Sequence, residues 1–98
     1  MEIRIVDKGH EGLFEAYEGD VRLGFMSYVW EGKQQEQFGI LHTIVEPEFE
    51  GHGVGSALLD FAADYARRNG KKIHDVCPFV TAKFRRSDKY DDIIAYKR

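Results

Sequence analysis

The chain has 98 residues, of which 43% are hydrophobic and 32% are charged, and its formal net charge is −3 at pH 7. This length supplies one domain, residues 1–98, with a single two-layer core, and the composition is that of a globular protein. The acidic balance argues against nucleic acid as the main partner, because phosphate backbones are bound by concentrated Lys and Arg. The single cysteine excludes an internal disulfide, and no apolar run is long enough to span a bilayer. We therefore expect a cytoplasmic protein with no membrane partner.

The first half of the chain predicts strands joined by short turns. Ile3 and Ile5 alternate with polar residues, and Gly19-Asp20 is typical of a hairpin turn. Pro47 ends a nearly continuous apolar run, because proline cannot donate to a strand ladder. The predicted strands lie at 2–6, 12–18, 21–30 and 37–45.

The second half predicts a helix, a strand and a further helix. Apolar residues repeat at helical period between Val54 and Tyr65, and Gly70 supplies a left-handed stop. Pro78 suits the first position of the next helix. The predicted elements are a helix at roughly 53–69, a strand at 72–77, a helix at 79–86 and a further turn at 88–94. Because the strand–helix–strand order implies a parallel crossover, the fold class is α+β, with a mostly antiparallel five-stranded sheet and two or three helices.

The loop E-G-H-G-V-G-S predicts an anion site. Its glycines lack the Cβ atoms that would keep a bulky anion from the backbone, and they permit positive φ in a tight turn. The loop leads into a helix whose first N–H groups have no intrahelical partner and lie at the positive end of its dipole. Phosphate is the predicted occupant, and the candidate binding residues are Gly51, His52, Gly53, Val54, Gly55 and Ser56.

These residues resemble a known family, the GCN5-related N-acetyltransferases, whose acetyl-CoA pyrophosphate loop usually reads Gln/Arg-x-x-Gly-x-Gly/Ala. The similarity is closer to a small single-domain branch and covers roughly residues 38–94. The matching segments are His42-Thr43-Ile44-Val45, Cys77-Pro78-Phe79-Val80, Phe84-Arg85-Arg86 and Tyr90. Two features depart from the family. Glu50 stands where Arg or Gln is usual, and no helix pair follows the first predicted strand, so we expect an open acceptor site.

The resemblance implies an acetyl-CoA-dependent N-acetyltransferase that moves an acetyl group to an amine acceptor. N–H groups from Gly51 to Ser56 would anchor the pyrophosphate of coenzyme A. The pantetheine arm would lie between the strands at 37–46 and 72–77, with backbone bonds to Val45.

His42 is the first candidate for the chemistry. An imidazole can accept a proton near neutral pH, which suits a general base. The alternative is a core histidine, because strand alternation places His42 on one face with Phe38, Ile40 and Ile44.

Cys77 is the second candidate. It directly precedes Pro78, so the start of the predicted helix favours its thiolate form. Cys77 then accepts the acetyl group as a thioester, or it lines the acyl pocket. A buried, inert thiol is the alternative, and His42 is the candidate to hold the thiol proton.

Other patterns carry weaker indications. His74 and Cys77 with His42 offer three zinc ligands but no fourth at familiar spacing, so no metal site is predicted. The basic residues Lys83, Arg85 and Arg86 either meet the cofactor's ribose phosphate or form a solvated helix face.

Two other function classes stay open. One is a module that binds coenzyme A without efficient turnover, which Glu50 and the open acceptor site favour. The other is a dinucleotide binder, because the loop nearly matches G-x-G-x-x-G and Asp75 lies about 20 residues further on. Ser56 in place of the third glycine argues against the latter.

Overall fold

A four-stranded antiparallel meander forms most of the sheet, and a fifth strand joins it in parallel. The computed structural model describes residues 1–96. The sheet order is β1-β2-β3-β4-β5, and only the β4–β5 pair is parallel. This confirms the predicted fold class. The strands are β1 (Glu2–Asp7), β2 (Glu11–Glu18), β3 (Val21–Glu31), β4 (Gln37–Val45) and β5 (Lys72–Asp75).

Two helices, α1 (Val54–Asn69) and α2 (Pro78–Arg86), and two short 3-10 helices, Pro47–Phe49 and Asp88–Ile93, complete the described chain. Gly70 ends α1 in the left-handed conformation, with φ 66°, and Pro78 lies in the first turn of α2, as predicted. Residues 8–10 connect β1 directly to β2, so no helix follows the first strand. None of the described helices combines the length and apolar character needed to cross a bilayer.

Helix α1 packs on one face of the sheet, called here the helix face. Phe14, Tyr28 and Phe38 form an aromatic cluster there, with the rings of Phe14 and Tyr28 stacked at 4.8 Å between centroids. The buried stripe of α1 is wider than the sequence predicted, because the helix also contacts β5 and the second 3-10 helix. Its buried residues are Val54, Gly55, Leu58, Leu59, Ala62, Ala63 and Ala66, whereas Phe61 and Tyr65 are partly buried.

Strand β4 contains a bulge that changes which side chains face the helices. Tyr28 of β3 pairs with Ile40, but the preceding Ser27 pairs with His42, so Leu41 is an extra residue. Ile40 is fully buried, whereas His42 is exposed. The prediction that His42 shares a face with Phe38 and Ile40 is therefore wrong, because a bulge resets the alternation. His42 and Ile44 lie on the opposite side of the sheet, called here the open face.

The end of β1 is tied to β3 through one carboxylate. Asp7 accepts hydrogen bonds from the Tyr28 hydroxyl at 2.6 Å, from the Trp30 indole N–H at 2.8 Å and from the Gly9 N–H at 2.8 Å. These donors, Tyr28 first, hold the pKa of Asp7 below its ordinary value of 3.8. Burial, followed by the bond to Asp7, raises the pKa of Tyr28. The ionised carboxylate therefore stabilises the folded state.

The Asp7→Asn variant should be less stable than the wild type at pH 7 by about 1 kcal/mol, a low value for a bond to a charged group because Asp7 is exposed. A lowered folded-state pKa contributes stability above the unfolded value of about 3.9 and loses it as the pH falls through the folded value. The difference in unfolding free energy between the two proteins, measured by urea denaturation, should therefore shrink between about pH 4 and pH 2. The exposed turn variant Asp20→Asn is the control, and a pH-independent difference for Asp7→Asn would contradict this assignment.

Candidate functional site

The two parallel strands separate at one point. β5 pairs with β4 only from Gln37 to Ile40, and the last link is the Cys77 N–H bonded to the Ile40 carbonyl at 2.9 Å. In the described chain, no backbone hydrogen bond joins Leu41–Val45 to β5. That stretch of β4 therefore presents an unpaired edge beside the start of α2.

A cavity of about 230 Å³, called here the loop cavity, lies where the end of β4, the glycine loop and the first turns of α1 and α2 meet. Its lining includes every residue that the sequence predicted for the cofactor except His52. His52 instead lies against the Phe49 ring and lines a second hollow, of about 380 Å³, with Val21 and Leu23. The residues of the loop cavity are Thr43, Val45, Phe49, Glu50, Gly51, Gly53, Val54, Gly55, Ser56 and Phe79.

The three loop glycines have different roles. Gly51 and Gly53 have φ of 81° and 79°, and a Cβ at either position would meet nothing within 4 Å. The left-handed backbone, not lack of space, requires glycine there. Gly55 lies inside α1, and its Cβ would stand 2.9 Å from the ring of Phe79. The interpretation that Gly55 also serves the turn is therefore wrong; its lack of a side chain lets the Phe79 ring of α2 lie against the backbone of α1.

The start of α1 supplies hydrogen-bond donors to the loop cavity. The first bond of the helix runs from the Ala57 N–H to the Gly53 carbonyl at 3.0 Å, so the N–H groups of Val54, Gly55 and Ser56 precede the ladder. No acidic side chain occupies the first turn. The helix dipole adds partial positive charge at this point, so the cavity fits an anion.

Cys77 lies beside this cavity but is almost covered. Cys77 is only 5% exposed, and its thiol donates a hydrogen bond to the Thr43 hydroxyl at 3.5 Å. Thr43 lines the loop cavity. Cys77 precedes the first turn of α2, as predicted, and its carbonyl accepts the Thr81 N–H at 3.0 Å.

The structure does not bring His42 and Cys77 together. Adjacent residues of a strand point to opposite faces, so Thr43 turns toward Cys77 on the helix face while His42 turns to the open face. The predicted transfer of the thiol proton to His42 has no contact to support it. Thr43 is the direct partner of the thiol.

The weaker sequence candidates occupy other surroundings. The His74 Nδ1 lies 3.1 Å from the Glu31 carboxylate on the open face, and no three His, Cys, Asp or Glu side chains in residues 1–96 converge to hold a metal ion. Asp75 is buried and accepts the Thr81 hydroxyl at 2.7 Å, which ties β5 to α2. That contact differs from the ribose-binding role that a dinucleotide site would give Asp75.

Three wall residues were not assigned to the site from the sequence: Thr43, Phe49 and Phe79. Thr43 and Phe79 belong to the motifs quoted above, but neither was given a role. A count of residues that allowed for a bulge in β4 would have put Thr43 on the helix face. The sequence carries no comparable signal for Phe49.

The chain is similar to proteins of a known family. A family model described as "GCN5-related N-acetyl-transferase" matches residues 13–93. An uncharacterized N-acetyltransferase of Methanocaldococcus jannaschii is 26% identical over 73 residues, which are 70% of this chain and 32% of that protein. The chain thus spans about a third of that relative.

Solved structures agree with the family match. The solution structure of a candidate GCN5-like N-acetyltransferase from Staphylococcus aureus has 26% identity and a TM-score of 0.66, covering 97% of this chain and 90% of that one. The crystal structure of nourseothricin acetyltransferase has 28% identity and a TM-score of 0.59, covering 82% of this chain and 50% of that one.

The position of Thr43 predicts how Cys77 reacts with iodoacetamide. The Thr43→Ala variant should be alkylated severalfold faster than the wild type, because the substitution removes the hydrogen-bond partner of the thiol and opens the cavity wall. His42→Ala is the matched control from the next position, and its rate should not change. Mass spectrometry measures both rates, and an equal acceleration in the two variants would contradict the assignment of faces.

Proposed function

This chain belongs to the GCN5-related N-acetyltransferase family, whose model matches residues 13–93, and from this premise we propose that it transfers an acetyl group from acetyl-CoA to an amine acceptor. The observation that carries the proposal is the loop cavity beside the unpaired edge of β4. A cavity with anion donors and an open strand edge thereby adjoin each other. A molecule with a pyrophosphate and a long amide-containing arm has the matching chemistry.

The residues of the loop fit the pyrophosphate. Left-handed Gly51 and Gly53 shape the turn, and the N–H groups of Val54, Gly55 and Ser56 donate into the cavity. The backbone of Val45, at the end of the unpaired edge, is placed to pair with the amide groups of the pantetheine arm. Glu50 opposes binding of the anion through its charge, although it is exposed and solvent weakens that repulsion.

Acetyl-CoA supplies a thioester whose carbonyl carbon accepts the amine. In the net reaction an N–C bond forms, the C–S bond breaks, coenzyme A leaves as a thiolate, and the amine gives up a proton. The exposed imidazole of His42 lies next to the strand separation on the face opposite Cys77. We propose that the acceptor approaches from the open face and that His42 takes its proton.

Cys77 has a different part in this scheme. Cys77 is buried and donates a hydrogen bond to the Thr43 hydroxyl. These contacts favour a role in lining the acyl pocket over a role as covalent acceptor of the acetyl group. Direct attack by the amine is therefore the proposed route, and acetylation of Cys77 is the alternative. A module that binds coenzyme A without turnover is the second candidate function, favoured by the short connection at residues 8–10, which leaves no helix pair after β1 to wall an acceptor site.

Release of coenzyme A from acetyl-CoA with a panel of primary amines and lysine peptides tests the proposal. The wild type should turn over at least one acceptor, and Gly53→Val should lose binding of acetyl-CoA because the side chain strains the turn and fills the anion site. Gly70→Val, which imposes similar left-handed strain at the far end of α1, is the control and should keep its affinity.

Two further variants in the same assay separate the routes. His42→Ala should lower kcat about a hundredfold, within the range for loss of a general base, and change the Kd for coenzyme A little. Cys77→Ala should retain transfer. Loss of transfer in Cys77→Ala together with an acetyl group on Cys77 of the wild type would establish the covalent route. Tight binding with no transfer to any amine would favour the binding module.

A further inference from the structure

The loop cavity is poor in positive charge. None of the described residues that line it is a lysine or an arginine, and one of them, Glu50, is acidic. Backbone N–H groups and a helix dipole contribute only partial charges. A cofactor with several phosphate charges would be bound more tightly with a full positive charge nearby.

Lys83 is the cation that the fold places at the edge of this cavity. It lies four residues after Phe79 on α2, so the two side chains share one face of the helix. The Lys83 Nζ lies over the Phe79 ring, 5.7 Å from its centroid. Phe79 in turn lines the cavity and packs on Gly55 in the first turn of α1. The lysine side chain therefore extends back toward the start of α1.

Lys83 has no ion pair within 4 Å among residues 1–96. The carboxylate of Asp60, which interacts electrostatically with Lys83, lies one turn beyond Ser56 on α1. Asp60 already accepts the Tyr90 hydroxyl at 2.5 Å and the Lys89 ammonium at 3.1 Å. Lys83 is thus partly buried, its ammonium lies over a ring of the cavity wall, and no carboxylate of residues 1–96 forms an ion pair with it.

The other basic residues of α2 are directed elsewhere. Arg85 and Arg86 are exposed and line a separate hollow with Ser87, Asp88 and Asp91. The cluster that the sequence predicts as one basic group is therefore divided by the fold. Of these three basic residues of α2, Lys83 alone adjoins the loop cavity.

We propose that Lys83 binds a phosphate group of coenzyme A and supplies the positive charge that position 50 does not. This inference rests on the proposed function. A lysine suits the task as a mobile point charge that reaches a phosphate from a neighbouring element. Its contribution should decrease with added salt, because the site is open to solvent.

Calorimetric titration of coenzyme A and of 3′-dephospho-coenzyme A tests the role of Lys83 without any activity measurement. Lys83→Gln should weaken binding of coenzyme A about tenfold at low salt, as expected for loss of one charge-assisted hydrogen bond. Lys83→Arg keeps the charge and should retain most of the affinity. Arg85→Gln is the matched control from the same helix and should bind like the wild type.

The two ligands identify the phosphate. Equal weakening for both assigns Lys83 to the pyrophosphate, and weakening for coenzyme A alone assigns it to the 3′-phosphate. Unchanged affinity of Lys83→Gln, or equal weakening by Arg85→Gln, would overturn the inference while leaving the proposed function intact. A wild-type protein that binds neither ligand would overturn the proposed function itself, and the inference with it.

Discussion

The hydrogen bond from the Cys77 N–H to the Ile40 carbonyl sets the geometry of the whole site. It is the last link between β4 and β5, and α2 begins at the next residue. β4 continues to Val45, so an extended backbone edge is left without a partner in the described chain. The glycine loop then returns the chain to α1 at the same end of the sheet. The divergence of the two strands thus leaves an open strand edge, and the glycine loop brings the donors at the start of α1 beside it.

The bulge at Leu41 gives the two sides of β4 different chemistry. Without the extra residue, His42 would be buried with Ile40, and Thr43 would face solvent. With it, a hydroxyl contacts the thiol of Cys77 on the helix face, and an imidazole is exposed on the open face. Acetyl-CoA bound on the helix face and an amine approaching from the open face would meet across β4. The covering of Cys77 is a consequence of the same arrangement.

Local chemistry made much of the fold predictable from the sequence. Gly70 and Pro78 marked a helix end and a helix start because each permits a backbone geometry that other residues resist. Strand alternation predicts the meander, and the strand–helix–strand order predicts the parallel crossover. The bulge could not be predicted in this way, since it depends on the register between two strands and not on either strand alone. For that reason strand alternation alone predicts the wrong face for His42 and assigns no role to Thr43.

The end of β5 and the role of Gly55 show the same limit. The sequence placed the strand end at Cys77, two residues beyond the observed Asp75, because the approach of α2 to the sheet is a tertiary feature. Gly55 looked like part of the loop, yet its small size serves the packing of Phe79. Spacing alone cannot separate a glycine required by φ from a glycine required by a neighbour.

The central claim is that coenzyme A is bound on the helix face, from the glycine loop to the unpaired edge of β4. Amide chemical shifts in a ¹H–¹⁵N correlation spectrum, recorded during titration with coenzyme A, test it most directly. The account predicts the largest shifts at Val54, Gly55 and Ser56, with smaller shifts at Val45, and no change at Val6 at the far edge of the sheet. Saturable shifts confined to other parts of the sheet, with the loop amides unmoved, would contradict it.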